Sequence, residues 1–588
     1  MKNYEPTFWQ RVFPPLLWLS TYKRSDFNGD LTAGITTAVM LIPQGMAYAL
    51  LAGLDPIIGL YASALPLCIY TLLGTSHQLS VGPVAMASLL MAAGLHDIFK
   101  GVDATPSQLL VFAVLVTLMA GIIQLFMGLF RLGGIVNLLS HPVVTGFTGA
   151  AALVIGCSQL QHLVGFHIPL DLAPHQQIIF LFSHLAQVNW NTVGIGTCAI
   201  LALIFMKRFT PQLPAAIIVV LLGIGGSYWF EFELAGVKTL GAIPDGLPEL
   251  TLPASLSWES LILVTPTAIA VGLVSFMESI SAAKVYARQN RYQISPSQEL
   301  ISLGMSNIGS ALTSGCVVGG ALSRTAVNAQ AGAKTPLANT ITALLICLTL
   351  AFLTGPFAYL PKPILAAIIL VAVASLIDIN EVKHLWKIKR DDLVICLLTF
   401  LATLLIGVSQ GILFGVCCSL FWLVFTTTRP EVAILGRLPD TTSYRSVDHF
   451  SEAETFDRIL IMRMDAQFFF GNVAYLKDRI TDHLNEADNV VALVIDASSM
   501  NALDSTAADA FSQMISGLRQ RGVEVMISHV KGSVLQVMEK SGLVDLLREG
   551  HLFYEVHDAV QAALRHREAV DQGLSVDEEE FGPSDYID

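Results

Sequence analysis

The residues able to do chemistry in this 588-residue chain sit inside its most apolar stretches. Arg324 lies in "VVGGALSRTAVNAQAG" (317–332) and Glu278 in "SFMESISAAKVYA" (275–287). A charge at membrane depth is costly, so each needs a partner, a water-filled cavity or a ligand. The glycines ahead of Arg324 allow the helix to break and the backbone to approach a guest closely. A helix starting there turns unpaired N–H groups, and the positive end of its dipole, toward one point. With a guanidinium beside them, these make an anion site that needs no metal. Two other roles compete: Arg324 neutralises Glu278, or it caps a carbonyl. The broken helix favours the anion.

Glu278 shares its helical face with Ser275 and Ser281, three residues to either side. Burial favours the neutral acid and a nearby guanidinium favours the carboxylate, a balance that suits proton uptake and release. The competing reading is a permanent ion pair. Gln44 and Tyr48, one turn apart in "IPQGMAYALLAG" (42–53), offer uncharged donors beside Pro43. The histidines have no metal-ligand spacing, and the eight cysteines fall in apolar stretches without a CxxC pair. Neither a metal site nor a cofactor is expected.

Helices crossing a membrane must position these groups. The chain is 53% hydrophobic and only 13% charged, against about a quarter charged in soluble proteins. From about residue 30 to 425, apolar runs long enough to span a bilayer follow one another; afterwards charge density rises. We expect a cytoplasmic N-terminal segment at 1–28, a transmembrane domain at 29–428, a soluble domain at 437–567 and an acidic, disordered tail at 568–588. No cleavable signal peptide precedes the first span. Basic residues cluster before that span and at 207–208, 284–291 and 387–390, while 231–259 is mostly acidic. With about fourteen spans all the basic loops share one side, which makes both termini and the soluble domain cytoplasmic. The net charge of −13 argues against nucleic acid.

Two of the helices, near Val84 and Ser323, are too short to span alone. Each follows a β-like run containing glycine, "HQLSVGP" and "GCVVGG". "VGPVAMASLLMAAG" from Val81 overlays "VGGALSRTAVNAQAG" from Val318, and Gln44 and Glu278 pair at nearly the same offset. Two halves, at about 29–230 and 260–428, then carry matching devices. Seven spans per half makes them inverted repeats, as in alternating-access transporters. In the soluble part "RILIMRM", "VVALVIDAS" and "VEVMISHV" read as buried strands. Helices follow from about Asn472, Ser505 and Gly532, with Ser505 as an N-cap, so the domain is α/β.

"GDLTAGITTAVMLIPQGMAYALLAGLDPIIGLYAS" resembles the signature of the SulP sulfate-permease family, the family of prestin and the animal anion exchangers. "SVGPVAM", "SFMESISAAK" and "GGALSRTAVNAQAGAKTP" follow in that family's order, and "VIDASSMNALDSTAADAF" resembles a STAS domain. The resemblance covers about residues 30 to 564. It implies fourteen segments in a seven-plus-seven inverted repeat of uracil-transporter-like core and gate, a cytoplasmic STAS domain, and a homodimer with elevator-like motion. Carried over, the anion pocket comprises Gln44, Tyr48, Val84, Ser323 and Arg324, with Glu278 as the proton-coupling residue. Sodium-dependent members resemble this pattern with an aspartate at the Glu278 position and a threonine four residues on; here that later residue is Ala282. Ser505 and Thr506 fall where related STAS domains are phosphorylated, although starting a helix explains them as well.

Proton-coupled sulfate uptake across the inner or plasma membrane is the leading reading. Bicarbonate or dicarboxylate transport, anion exchange, and a membrane-anchored STAS signalling protein with a cytoplasmic partner are the alternatives. No nucleophile–base pair or P-loop supports an enzyme.

Overall fold

Apolar runs of the first 430 residues form fourteen principal helical segments, besides shorter helices such as Pro174–Ser183 and Ile379–Ile388, among the described residues, which in this computed structural model are 13–99, 105–134, 140–169, 172–210, 215–241, 246–251, 257–374, 376–487, 489–547 and 550–572. They are α1 (Arg24–Leu51), α2 (Pro56–Tyr61 continuing as Leu65–Leu73), α3 (Ala85–Ile98), α4 (Pro106–Leu129), α5 (His141–Val164), α6 (Trp190–Phe209) and α7 (Ala215–Phe230). The second set is α8 (Trp258–Gln289), α9 (Pro296–Leu312), α10 (Leu322–Gln330), α11 (Leu337–Phe352), α12 (Lys362–Ala374), α13 (Arg390–Leu405) and α14 (Val408–Thr428). Among the described residues, eight helices are long and apolar enough to cross a membrane unaided. α3 and α10 are short, and each follows a three-residue strand, β1 (Val81–Pro83) and β2 (Val318–Gly320).

The strands and helices repeat with one spacing: Val81 and Val318 open the strands, and Ala85 and Leu322 open the helices, 237 positions apart in both cases. β1 and β2 pair antiparallel, with Gly82 opposite Gly319. Those two glycines are themselves equivalent in the repeat, so a pseudo-twofold axis passes through their pairing. This is the inverted repeat that the sequence led us to expect.

Helix contacts fall into two groups. α9 packs on α2 and α4, α8 on α3 and α4, and α11 on α1 and α2, while α10 packs on α1 and α8. The second group joins α5 to α12 and α13, and α6 to α7 and α12. α1 begins at Arg24, inside the expected 1–28 segment, because the Asp26 carboxylate accepts a 2.9 Å bond from the Lys23 N–H and starts the helix early.

The chain divides into two units, Met1–Ser419 and Leu420–Asp588. In the second, β3 (Val432–Arg437), β4 (Tyr444–Ser446), β5 (Ile459–Met464), β6 (Ala492–Asp496), β7 (Glu524–Ser528) and β8 (Leu552–Phe553) form a sheet in the order β4-β3-β5-β6-β7-β8. β5 to β8 are parallel, as helical crossovers require. Alternation along β6 sends Leu493 and Ile495 into the core beneath α15 (Val473–Glu486), α16 (Ser505–Gln520) and α17 (Gly532–Lys540). Ala492 and Val494 face α18 (Val556–Asp571) instead. The α/β expectation is met, with three differences in detail. β3 begins at Val432, ahead of the expected boundary at 437. α18 continues to Asp571, past the 567 boundary, while residues 573–588 of the acidic tail lie outside the described residues. The N-cap of α16 is Asp504, not Ser505: its carboxylate accepts from the Ala507 N–H at 2.8 Å, which leaves Ser505 as the first helical residue.

Candidate functional site

A two-stranded sheet buried between helices leaves edge N–H and C=O groups that cannot reach water and must be satisfied internally. Side chains do this here. Ser275 Oγ of α8 donates to the Val318 carbonyl at 2.8 Å, and Asn307 of α9 accepts from the Val318 N–H at 2.8 Å while donating to its carbonyl at 3.1 Å. Ser279 Oγ accepts from the Gly320 N–H at 2.7 Å. On the other side, Asn328 and Asn339 donate to the carbonyls of Gln78 and Leu79. The approach is so close that a Cβ on Gly319 would come within 2.6 Å of Ser275 Oγ, which is why glycine stands there.

Arg324 completes this accounting. Its side chain is fully buried. Nε donates to Ser80 Oγ at 3.1 Å, Nη1 to the Pro83 carbonyl at 3.1 Å, and Nη2 to the carbonyls of Ser80 and Gly319 at 3.3 Å each. Of the readings open at the level of sequence, carbonyl capping is what these hydrogen bonds do, and they join β1 to β2. No ion pair links Arg324 to Glu278 among the described residues, although both lie close enough to each other and to Tyr48 to interact electrostatically.

The two half-helices begin without side-chain caps. Val84 is the N-cap of α3 and Ala321 that of α10, and neither side chain can accept a hydrogen bond. First-turn N–H groups are therefore left unspent at both ends. Val84 is fully buried and Ser323, in the first turn of α10, is exposed. Gln44 and Tyr48 are buried on α1, and among the described residues the side chains of Gln44, Tyr48 and Ser323 make no hydrogen bond.

Three buried or half-buried carboxylates in the membrane unit show what a spent and an unspent group look like. Asp30 accepts from the N–H groups of Lys334 and Thr335, from Thr335 Oγ1 at 2.6 Å and from the Tyr22 hydroxyl at 2.9 Å. Glu299 accepts from the N–H groups of Thr75 and Ser76, from Thr75 Oγ1 at 2.6 Å and from the Tyr70 hydroxyl at 2.9 Å. Glu278 differs: its Oε2 is buried without a partner, alone among the carboxylate oxygens of the described residues. Of the serines expected to share its face, Ser275 is spent on Val318 and Ser281 is exposed.

Sequence reasoning missed Ser279, Asn307, Asp30 and Glu299. Ser279 and Asn307 were visible as polar residues among others in apolar helices, but their partners are set by the fold. Among the described residues no group of three or more His, Cys, Asp or Glu side chains is placed to hold a metal. In the second unit Ser505 and Thr506 lie exposed on the first turn of α16.

The model of the sulfate permease family matches residues 27–399, and that of the STAS domain matches 451–559. Over 572 residues the chain is 35% identical to "Sulfate transporter 4.1, chloroplastic" of Arabidopsis thaliana, covering 94% of this chain and 83% of that one. It is 32% identical over 574 residues to "High affinity sulfate transporter 2" of Stylosanthes hamata, covering 94% and 86%. In fold it is similar to the murine Solute Carrier 26 family member A9 anion transporter in its inward-facing state, with a TM-score of 0.87 over 96% of each chain at 23% identity. The transmembrane domain of a cyanobacterium bicarbonate transporter matches 68% of this chain and 98% of that one, with a TM-score of 0.58. An inverted repeat crossing at two broken helices, followed by a separate α/β unit, thus coincides with matches along nearly the whole chain: it belongs to the sulfate permease family and carries a C-terminal STAS domain.

Proposed function

We propose that this chain is a secondary active transporter that carries sulfate inward across the inner or plasma membrane, with a proton as the coupling ion. The observation that carries the reading is the set of unspent groups at the crossing. Two uncapped helix N-termini flank the β1–β2 crossing, Ser323 lies in the first turn of α10, and we place Gln44, Tyr48 and the glutamate with a free buried oxygen beside them. Such N–H groups bind a small oxyanion through the backbone, and Arg324 adds positive charge from beneath while its hydrogen bonds hold β1 to β2. The names of the relatives support sulfate as the anion.

Glu278 takes the proton in this scheme. Protonation offsets part of the anion's charge, which matters against a membrane potential worth about 2.3 kcal/mol per charge per 100 mV. The group containing α1, α3, α8 and α10 moves as a body against the group containing α5 to α7, α12 and α13, exposing the site to each side in turn. We further assign a homodimer, cytoplasmic termini, and a cytoplasmic STAS unit that docks a partner. Phosphorylation at Ser505 or Thr506 would place negative charge at the N-terminus of α16.

The test is labelled-sulfate uptake into proteoliposomes under an imposed inward proton gradient and, separately, an inward sodium gradient. Stimulation by protons that disappears in Glu278→Gln is the expected result. Uptake that follows sodium would remove the coupling assignment.

A further inference from the structure

Away from the crossing, the membrane unit contains a cavity of about 170 Å³ that no part of the mechanism above uses. It lies where the end of α5, the start of α6, the loop after α7 and the start of α12 come together, on the face opposite the Lys/Arg-rich loops. His162, His167, Lys238 and Lys362 line it. The Lys362 N–H donates to the Lys238 carbonyl at 2.9 Å, so the two lysine-bearing segments are fixed side by side. Among the described residues no ion pair neutralises either lysine, and no carboxylate lines the cavity.

Two features separate this cluster from a solvated charged face. Lys238 is the one basic residue between Glu231 and Glu259, a mostly acidic loop on the side that Lys and Arg avoid. In addition, Thr192 lines the cavity while only 2% exposed, and its Oγ1 has no hydrogen-bond partner. A buried hydroxyl left unpaired costs free energy, which a ligand oxygen at this place would recover. Gly165 lies beside it: a Cβ there would sit 3.2 Å from Thr192 Oγ1 and narrow the space.

We propose that this cavity is a second oxyanion site, taking a tetrahedral dianion such as sulfate between Lys238, Lys362 and the Thr192 hydroxyl. For its purpose it rests on the transport reading: it collects the anion on the outer face before the anion reaches the crossing. Its chemistry stands separately, because two ammonium groups with no ion-pair partner among the described residues, two imidazoles and one buried hydroxyl without a partner select an anion with several oxygens.

The test is equilibrium binding of labelled sulfate to the purified full-length protein at low ionic strength, where screening is weakest. Thr192→Val removes a hydroxyl with no partner in the unliganded protein and should leave its melting temperature unchanged or higher. It should nevertheless weaken one class of bound sulfate about tenfold, and Lys238→Gln combined with Lys362→Gln should abolish that class. Equal number and affinity of bound sulfates in wild type and both variants, or no sulfate bound by the wild type, would overturn the second site. Failure of the transport reading is distinguishable: proteoliposomes would then take up no sulfate while the Thr192-dependent binding persists.

Discussion

β1 with α3 and β2 with α10 are the same device at equivalent positions of an inverted repeat, yet they are held in different ways. Around β1 the neighbours are largely apolar: a Cβ on Gly82 would first meet Leu41, and the N-cap of α3 is a fully buried valine. The side-chain hydrogen bonds to β1 and the residues just before it come from the other half: Arg324, Asn328 and Asn339 donate to the carbonyls of Pro83, Gln78 and Leu79, and Thr325 Oγ1 accepts from the Ser80 N–H. β2 is bonded within its own half by Ser275, Ser279 and Asn307. The second repeat therefore carries its own polar scaffold, the clamp on the first repeat and, among the described residues, the one buried carboxylate oxygen without a partner. A duplicated topology supplies two helix N-termini, and one copy holds the charge.

Removing the clamp should break the comparison most severely. Arg324→Ala leaves buried carbonyls of Ser80, Pro83 and Gly319 short of a donor and opens a void, at a cost of about 3–5 kcal/mol. A large fall in melting temperature in detergent is expected, and adding Glu278→Gln should not restore it, since the two groups form no ion pair.

The carboxylates give a smaller and sharper contrast. Glu299→Gln turns an amide toward N–H and O–H donors and should cost about 1–3 kcal/mol. Glu278→Gln should stay within about 0.5 kcal/mol of wild type, because its Oε2 has no donor to lose. Thermal unfolding of the two variants side by side checks this, and equal destabilisation would mean that Glu278 is a structural group.

A gain in stability, where the other variants lose it or hold level, is expected from capping the half-helices. Ala321→Ser provides an oxygen for a first-turn N–H and should stabilise by about 1 kcal/mol, while Val84→Ser sets the same cap against the loss of a fully buried valine. Each should raise the KM for sulfate, since the new cap takes an N–H that the anion would otherwise use. A KM unchanged in both would remove the helix N-termini from the binding site.

Much of this architecture is written locally in the chain. β-branched valines followed by glycines, and a proline after Gly82, end one helix and start another within a few residues. Two such breaks at one spacing expose the repeat, and an arginine at the second marks the site. The partners of Arg324 are not written there: Ser80 and Pro83 lie more than 240 positions away, and only the pseudo-twofold crossing brings their carbonyls within reach. The same holds for Asp30 and Glu299, each of which binds a loop of the opposite half. Helical periodicity placed Ser275 and Ser281 with Glu278, but it is Ser275 and Ser279 that meet β2, because the close approach at Gly319 sets which face of α8 the strand touches. In the STAS unit Ser505 was a reasonable cap by type, and its neighbour Asp504 fills that role one residue earlier.

The central claim is that a small oxyanion occupies the N-terminal end of α10, and Ser323→Glu tests it directly. Ser323 is exposed and makes no hydrogen bond, so a longer side chain is accommodated, and an acidic residue in the first turn favours the helix. The variant should fold with a melting temperature at or above that of wild type and lose sulfate uptake in proteoliposomes by about a hundredfold, its carboxylate taking the place of the anion. A folded Ser323→Glu protein that transports sulfate at the wild-type rate would contradict the account.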